Sequence, residues 1–267
     1  MKRIFIFFML WAAHAMAADV TWYQQQVDNA QPTQDALAQS EKLLREHQDL
    51  TIQDTFAVPV FHKQSGEQET APESFCRTCH LPLPHQKSVR TRTFNNMHVR
   101  YVACETCHLR RPDRESEAVI YRWFDMRKRT RVLPEAHFLR SGSDIDNAIQ
   151  RPNYLKVAPF LDDKRLFLLK NDAFAKDLAA QWKSANTAQK ITLHAKIHAP
   201  LNWQKGQNTQ QGTPCQACHT DKKPMIDLPA LGASAAQIQA ISSQIIARFL
   251  AHYKHDDKRM TLREMLQ

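Results

Sequence analysis

The chain has 267 residues, 43% of them apolar and 24% charged, which is material for one domain or two small ones and too apolar for a disordered chain. Its formal charge is +9, with six cysteines and only five glycines. After the N-terminal stretch no segment approaches about 18 consecutive apolar residues, which excludes a bundle of membrane-spanning helices.

In chain order, Lys2 and Arg3, the apolar run 4–13 and Ala15-Met16-Ala17 read as a secretory signal over residues 1–17. The run is short for the ~30 Å of bilayer hydrocarbon, and no cysteine follows the cleavage site. The expected mature protein starts near Ala18 and is exported and soluble, with at most peripheral membrane association. Residues 19–55 place Leu37, Leu43, Leu44 and Leu50 at near-helical spacing and predict a helix. Ser65 to Pro72 reads as a polar loop.

Next come Cys76-Arg-Thr-Cys79-His80 and Cys104-Glu-Thr-Cys107-His108, and the same pattern returns far downstream as Cys215-Gln-Ala-Cys218-His219. These three copies use all six cysteines, leaving none for a disulfide or a catalytic thiol. Histidine fills 13 of 267 positions, so one after every pair arises by chance about once in ten thousand. Cys-x-x-Cys-His is the attachment signature of c-type haem. Two thiols three positions apart each add to one vinyl group of a porphyrin, and the histidine is then held beneath the iron. Cys76, Cys79, Cys104, Cys107, Cys215 and Cys218 are therefore expected to bind three covalent haem c groups, with His80, His108 and His219 as proximal ligands. A zinc ribbon could draw four thiolates from the first two pairs, but it leaves the third pair and the histidines unexplained. A thioredoxin-like dithiol explains still less.

Each iron also needs a decision on its other face. A second histidine saturates it, a methionine raises its potential, and an empty position permits chemistry on a small molecule. Nine further histidines lie in the mature chain: His47, His62, His85, His98, His137, His194, His198, His252 and His255. Four are well placed as distal ligands. His62 ends the apolar run 57–61 before the first motif, and His85 follows His80 across Leu81-Pro82-Leu83-Pro84, where the prolines stiffen the approach. His98 shortly precedes Cys104, and His198 precedes the third motif. On a strand or a helix His194 shares a face with His198, so spacing does not choose between them. Met97 and Met225 are the methionine alternatives, although methionine more often packs than ligates.

The middle of the chain, 111–190, carries no attachment motif. Residues 118–139 alternate aromatic, aliphatic and basic side chains and predict a β-hairpin turning near 127–130, without an Asn-Gly or Asp-Gly to mark it. Ser141-Gly-Ser-Asp144 reads as a loop, 154–160 as a further strand ending at Pro159, and 172–189 as a helix with Phe174, Leu178 and Trp182 on one face. From Ser234, a capping residue, the stripe Ile238, Ile241, Ile245, Phe249 and Leu250 predicts a C-terminal helix. The organisation expected is a signal over 1–17, a segment 18–110 for the first two haems, a haem-free middle 111–190 with the hairpin, and a third-haem segment 191–267. The fold class expected is mainly α with extensive loop and a small β-hairpin region, built around three covalently bound haems. Removing Lys2 and Arg3 leaves 9 − 2 = +7 on the mature chain, which about six haem propionates would largely offset. The basic stretch Arg122, Arg127, Lys128, Arg129 and Arg131 then reads as a propionate-pairing or solvated face rather than a nucleic-acid site.

Residues 57–110, and more weakly 191–232, resemble the bacterial multihaem c-type cytochromes. The likeness rests on Cys76-x-x-Cys79-His80-Leu-Pro-Leu-Pro-His85, then Phe94-Asn-Asn-Met-His98, then Cys104-x-x-Cys107-His108. A histidine shortly before the next motif is similar to class III proteins with bis-histidine ligation. That resemblance implies low-potential haems within electron-tunnelling contact, but the long haem-free middle departs from the compact class III fold. The leading functional expectation is a periplasmic electron carrier or relay of a respiratory chain, without substrate chemistry of its own. Its expected partners are redox proteins: a quinol-oxidising membrane complex, a terminal reductase or an outer-membrane conduit. Two alternatives stand beside it. One is a haem enzyme, an oxyanion reductase or peroxidase, with one open iron near Arg131 and His137. The other is a docking subunit whose middle region binds a larger multihaem assembly.

Overall fold

Thr21 is the N-cap of helix α1, Trp22–Asp28, its hydroxyl accepting a hydrogen bond from Gln24 N (3.2 Å). A computed structural model describes residues 20–46, 74–80, 84–85, 89–110, 119–132, 154–201 and 212–243. The signal, His47, His62, His137, His252, His255, the loops at 65–72 and 141–144, and the helix positions Leu50, Ile245, Phe249 and Leu250 lie outside those residues. The single helix expected over 19–55 is two: α1 stops before Pro32, and Thr33 caps α2, Gln34–Glu46, through Ala36 N (3.2 Å). Proline lacks the donor that a continuous helix needs and biases its predecessor away from helical dihedrals.

The expected hairpin is half of a four-stranded antiparallel sheet of order β2-β1-β3-β4, with β1 Ile120–Asp125, β2 Thr130–Arg131, β3 Leu155–Leu161 and β4 Lys164–Arg165. β1 pairs with β3 along its whole length, from Ile120↔Phe160 to Asp125↔Leu155, and with β2 at Phe124↔Arg131 and Asp125↔Thr130. No Asn-Gly is needed at the turn because buried Asp125 organises it: its Oδ1 accepts from Arg127 N (2.8 Å) and Lys128 N (2.9 Å). The remaining strain falls on Arg129, at φ 60°.

β3 does not end at Pro159 but runs through it. Val157 N donates to Tyr101 O (2.7 Å), away from β1, so by two-residue alternation the nitrogen of Pro159 faces that same side, where β4 pairs only from Phe160 onward. The missing N–H interrupts no rung with β1. Phe124, Phe160 and Phe167 fill one side of the sheet, with Phe124 and Phe167 edge to face at 5.2 Å.

The helix expected over 172–189 is also divided, into α5, Ala173–Ser184, and α6, Thr187–His198. Asn186 starts the second by a reciprocal capping box: its side chain accepts from Gln189 N, and Gln189 Oε1 accepts from Asn186 N, both at 2.9 Å. α6 packs beside α1 and α2, where Tyr23 Oη donates to Ile197 O (2.7 Å). The C-terminal helix α7, Ala235–Ser242, opens with a second capping box, between Ser234 and Gln237.

The sheet touches all three cysteine motifs. Phe75 N donates to Leu168 O (3.1 Å) at the first, and Thr106 Oγ1 to Val157 O (2.8 Å) at the second. Beside the third, Trp123 Nε1 donates to Leu231 O (3.0 Å), and Cys218 packs on the cluster of Tyr121, Val157, Ile226 and Leu231. The basic stretch stays at the surface, but its cations are partnered there. Arg129 pairs with Asp172, Arg131 pairs with Asp163, and the Arg127 guanidinium lies 3.3 Å over the Tyr154 ring.

Candidate functional site

Each cysteine motif folds as one tight turn. The first is a 3-10 turn at Phe75–Thr78, the second the short helix Cys104–His108, and the third a 3-10 turn at Cys215–Ala217. His80 N donates to Cys76 O (3.0 Å), and His219 N to Cys215 O (2.9 Å). Residues one turn apart share a face, so both cysteines and the histidine of each motif face one side.

Across from each motif histidine stands another histidine. The ring centres of His80 and His198 are 6.2 Å apart, those of His108 and His85 6.1 Å, and those of His219 and His98 6.1 Å. The first and third pairs are nearly perpendicular, at 84° and 89°, while the second is nearly parallel at 15°. An imidazole nitrogen binds a transition metal at about 2.0–2.1 Å and lies about 1.1 Å from its ring centre, so two imidazoles across one ion have centres about 6.2–6.4 Å apart. The observed gaps of 6.1–6.2 Å lie at or just under the short end of that range, close to the room one ion between two imidazoles would need.

The second ring nitrogens carry the matching signature. Nδ1 of His198 donates to His194 O (2.7 Å), of His98 to Phe94 O (2.8 Å), of His219 to Ile241 O (2.8 Å), and of His85 to Asn96 Oδ1 (3.0 Å). Carbonyl oxygens only accept, so each Nδ1 is the donor in these bonds, which leaves Nε2 as the ring nitrogen available to a metal. Burial pulls His198 down to about 3, with His194 alongside adding to the effect, and pulls His108 down to about 4 with help from His85 and His80. Both rings are neutral at pH 7. His108 Nδ1 is buried with no hydrogen-bond partner among the described residues.

Three of the four histidines singled out in the sequence, His85, His98 and His198, are those facing the motif histidines; the fourth, His62, lies outside the described residues. The choice between His194 and His198 is made by packing: His194 stacks on His198 at 4.0 Å and turns its Nδ1 to Ser40 Oγ (3.0 Å). Met97 is 45% exposed, and Met225 packs in the cluster with Tyr121 and Ile226. Arg131, invoked for an open enzyme pocket, is engaged by Asp163.

The motifs lie side by side despite their separation in sequence. The Cys76 and Cys104 thiols are close enough to influence each other's ionisation, an interaction that raises Cys76 and lowers Cys104. Glu105 Oε1 accepts from Cys76 Sγ (3.2 Å) and from Ser74 Oγ (3.4 Å). From the other direction, Cys107 O accepts from Thr213 N (2.7 Å) and Thr213 Oγ1 (3.0 Å). Gly212 passes so close that a Cβ there would stand 3.3 Å from His108 Cε1. The second motif is thus central, with the first and third on its flanks.

Burial pushes Cys79 up to about 11 and Cys107 up to about 12, which disfavours the thiolates that a zinc ribbon or a reactive dithiol requires. Among the described residues no three His, Cys, Asp or Glu side chains converge as a metal cluster. The donors come in opposed pairs, which suits an ion whose equatorial ligands come from a planar macrocycle. Beside His198 lies a cavity of about 390 Å³, lined in part by Gln26, Asn29, Ser40 and Arg110. No helix among the described residues is long and apolar enough to cross a membrane.

Sequence spacing did not single out Asn96, Glu105 or Gly212. Gly212, one of five glycines and three residues before Cys215, carried the only usable signal. No protein-family model, curated protein or solved structure matches the chain.

Proposed function

We propose that the chain is an exported trihaem c-type cytochrome, a multihaem protein with bis-histidine ligation that relays electrons in the periplasm and performs no substrate chemistry of its own. The observation that carries this reading is the common 6.1–6.2 Å separation of three histidine pairs, each with one member from a Cys-x-x-Cys-His turn. Cys76 and Cys79, Cys104 and Cys107, and Cys215 and Cys218 would hold the three macrocycles as thioethers. The iron ligands would be His80 with His198, His108 with His85, and His219 with His98. A haem so held supplies one-electron chemistry between ferric and ferrous iron.

The chain supplies the rest. An imidazole on both faces closes the open position a haem enzyme would need. The Nδ1–H bonds at His85, His98, His198 and His219 orient those rings and raise their basicity, which favours the ferric state and a low potential. The sheet keeps the three turns adjacent, so electrons would pass through the central site between the outer two. Redox proteins are the fitting partners: a quinol-oxidising membrane complex on one side, a terminal reductase or outer-membrane conduit on the other. Nucleic acid is not called for, since Arg129 and Arg131 are engaged by Asp172 and Asp163.

Mass spectrometry and optical spectroscopy of the exported protein test the proposal together. The expected result is a chain carrying three haems, wholly low-spin when ferric and unreactive to carbon monoxide when ferrous. Fewer covalent haems would overturn the assignment of the motifs. A high-spin fraction in the unaltered protein would favour the haem-enzyme alternative.

A further inference from the structure

The three distal histidines are not held alike. His98 and His198 sit on helices, and each Nδ1 reaches the carbonyl one turn back in its own helix, Phe94 O at 2.8 Å and His194 O at 2.7 Å. His85 follows Pro84 outside any described helix, and its Nδ1 bonds to a side chain of another element. Its partner is Asn96, on helix α3, Val89–Val99. The Asn96 side chain spends three hydrogen bonds on that one residue: Oδ1 accepts from His85 Nδ1 (3.0 Å) and His85 N (3.2 Å), and Nδ2 donates to His85 O (3.1 Å).

Asn96 is 6% exposed. An amide taken out of water costs about 1–3 kcal/mol unless its bonds are restored, so its burial makes sense only through the residue it clamps. Two positions along a helix turn through about 200°, so Asn96 and His98 leave opposite sides of α3. One side clamps the ligand facing His108, and the other supplies the ligand facing His219.

We infer that Asn96 is a positioning residue of the central haem site, fixing the orientation and tautomer of His85, and that α3 thereby mechanically joins the central and third sites. This inference rests on reading the motifs as haem sites. An Asn96→Leu variant keeps the shape and removes both acceptor and donor. Asn96→Asp keeps the acceptor and adds charge that strengthens imidazolate character in His85.

The haem-loaded, exported proteins are compared by mass, ferric spin state, carbon monoxide binding to the ferrous form, and the separate potentials of the three haems. In Asn96→Leu the loss of an outer-shell partner weakens His85 ligation by about 10–100-fold, so all three haems stay attached but up to about one third of the iron becomes reactive to carbon monoxide. Asn96→Asp stays low-spin, and one potential falls further than the other two. If Asn96→Leu reproduces the unaltered spectra and potentials, the inference is wrong. It is equally wrong if Asn96→Asp shifts all three potentials alike, or if ligation weakens at all three irons, since those are signs of general structural damage. Should Asn96→Leu not accumulate, the potentials of Asn96→Asp decide alone. Fewer than three haems on the unaltered chain would overturn the underlying reading instead, and mass reports that separately.

Discussion

The sheet region and the three cysteine turns solve opposite problems. Residues 119–132 and 154–169 bury their own apolar faces, with Phe124, Phe160, Phe167, Ala158 and Leu169 almost fully enclosed. The cysteine turns are each one turn long, and their cysteines stay only half-buried. A single turn is too short to be stable by itself. What holds the turns is the sheet beneath them and, on the proposed function, the haems above. The motif-free middle is therefore the platform of the site and not a spacer between its parts.

The most damaging change to that contrast is Phe167→Ala. Phe167 is fully buried and meets both Phe124 and Phe160 edge to face, so its loss should cost about 3–5 kcal/mol of unfolding free energy. In denaturant titration followed by tryptophan fluorescence and by low-spin absorbance, both signals should move to lower denaturant together. If absorbance holds while the fold signal shifts, the sheet is not what carries the turns.

Thr106→Val is milder. It removes the hydroxyl that ties the second turn to Val157 O, which still accepts from Ala103 N, so about 1 kcal/mol should be lost. Chemical denaturation measures it, and an unchanged midpoint would show that the backbone bond suffices.

Gly212→Ala tests the docking of the third turn on the second. A Cβ 3.3 Å from His108 Cε1 forces a shift of a few tenths of an ångström, costing about 1 kcal/mol or less. Magnetic resonance of the ferric irons should show the central site altered and the first unchanged. A change at the first site alone would contradict the order of the turns.

Glu105→Gln should have the smallest effect at acid pH and a growing one above it. Burial raises the Glu105 carboxyl, and Oε2 has no partner among the described residues. A raised folded pKa means that protonation favours the folded state. That stability is fully present below the unfolded value of about 4.3 and is lost as pH rises through the folded one. The glutamine variant lacks this loss, so thermal melts across pH should coincide near pH 3 and then diverge with the variant more stable. Parallel curves at every pH would show that the carboxyl is not perturbed.

Much of this was legible locally. Ser234 and the hairpin near residue 127 follow from capping and alternation, which act within a few residues, whereas the break at Pro32 is passed over in favour of the leucine spacing around it. Other features were misread for physical reasons that are equally plain. Pro159 reads as a strand end, yet its nitrogen faces away from β1, where β4 pairs only from Phe160 onward. Residues 172–189 read as one helix on Phe174, Leu178 and Trp182, all in its first half, whereas the Asn186 capping box starts a new helix beyond Ser184.

By itself the sequence determined which two thiols and which imidazole share a face in each cysteine turn, because that placement requires only a single turn of backbone. It also narrowed the facing histidines to a short set. Only the tertiary structure decided which histidine faces which, that His198 and not His194 is presented, that Asn96 holds His85, and that the third motif lies against the second. Those choices depend on contacts between residues far apart in the chain, which spacing along it does not encode.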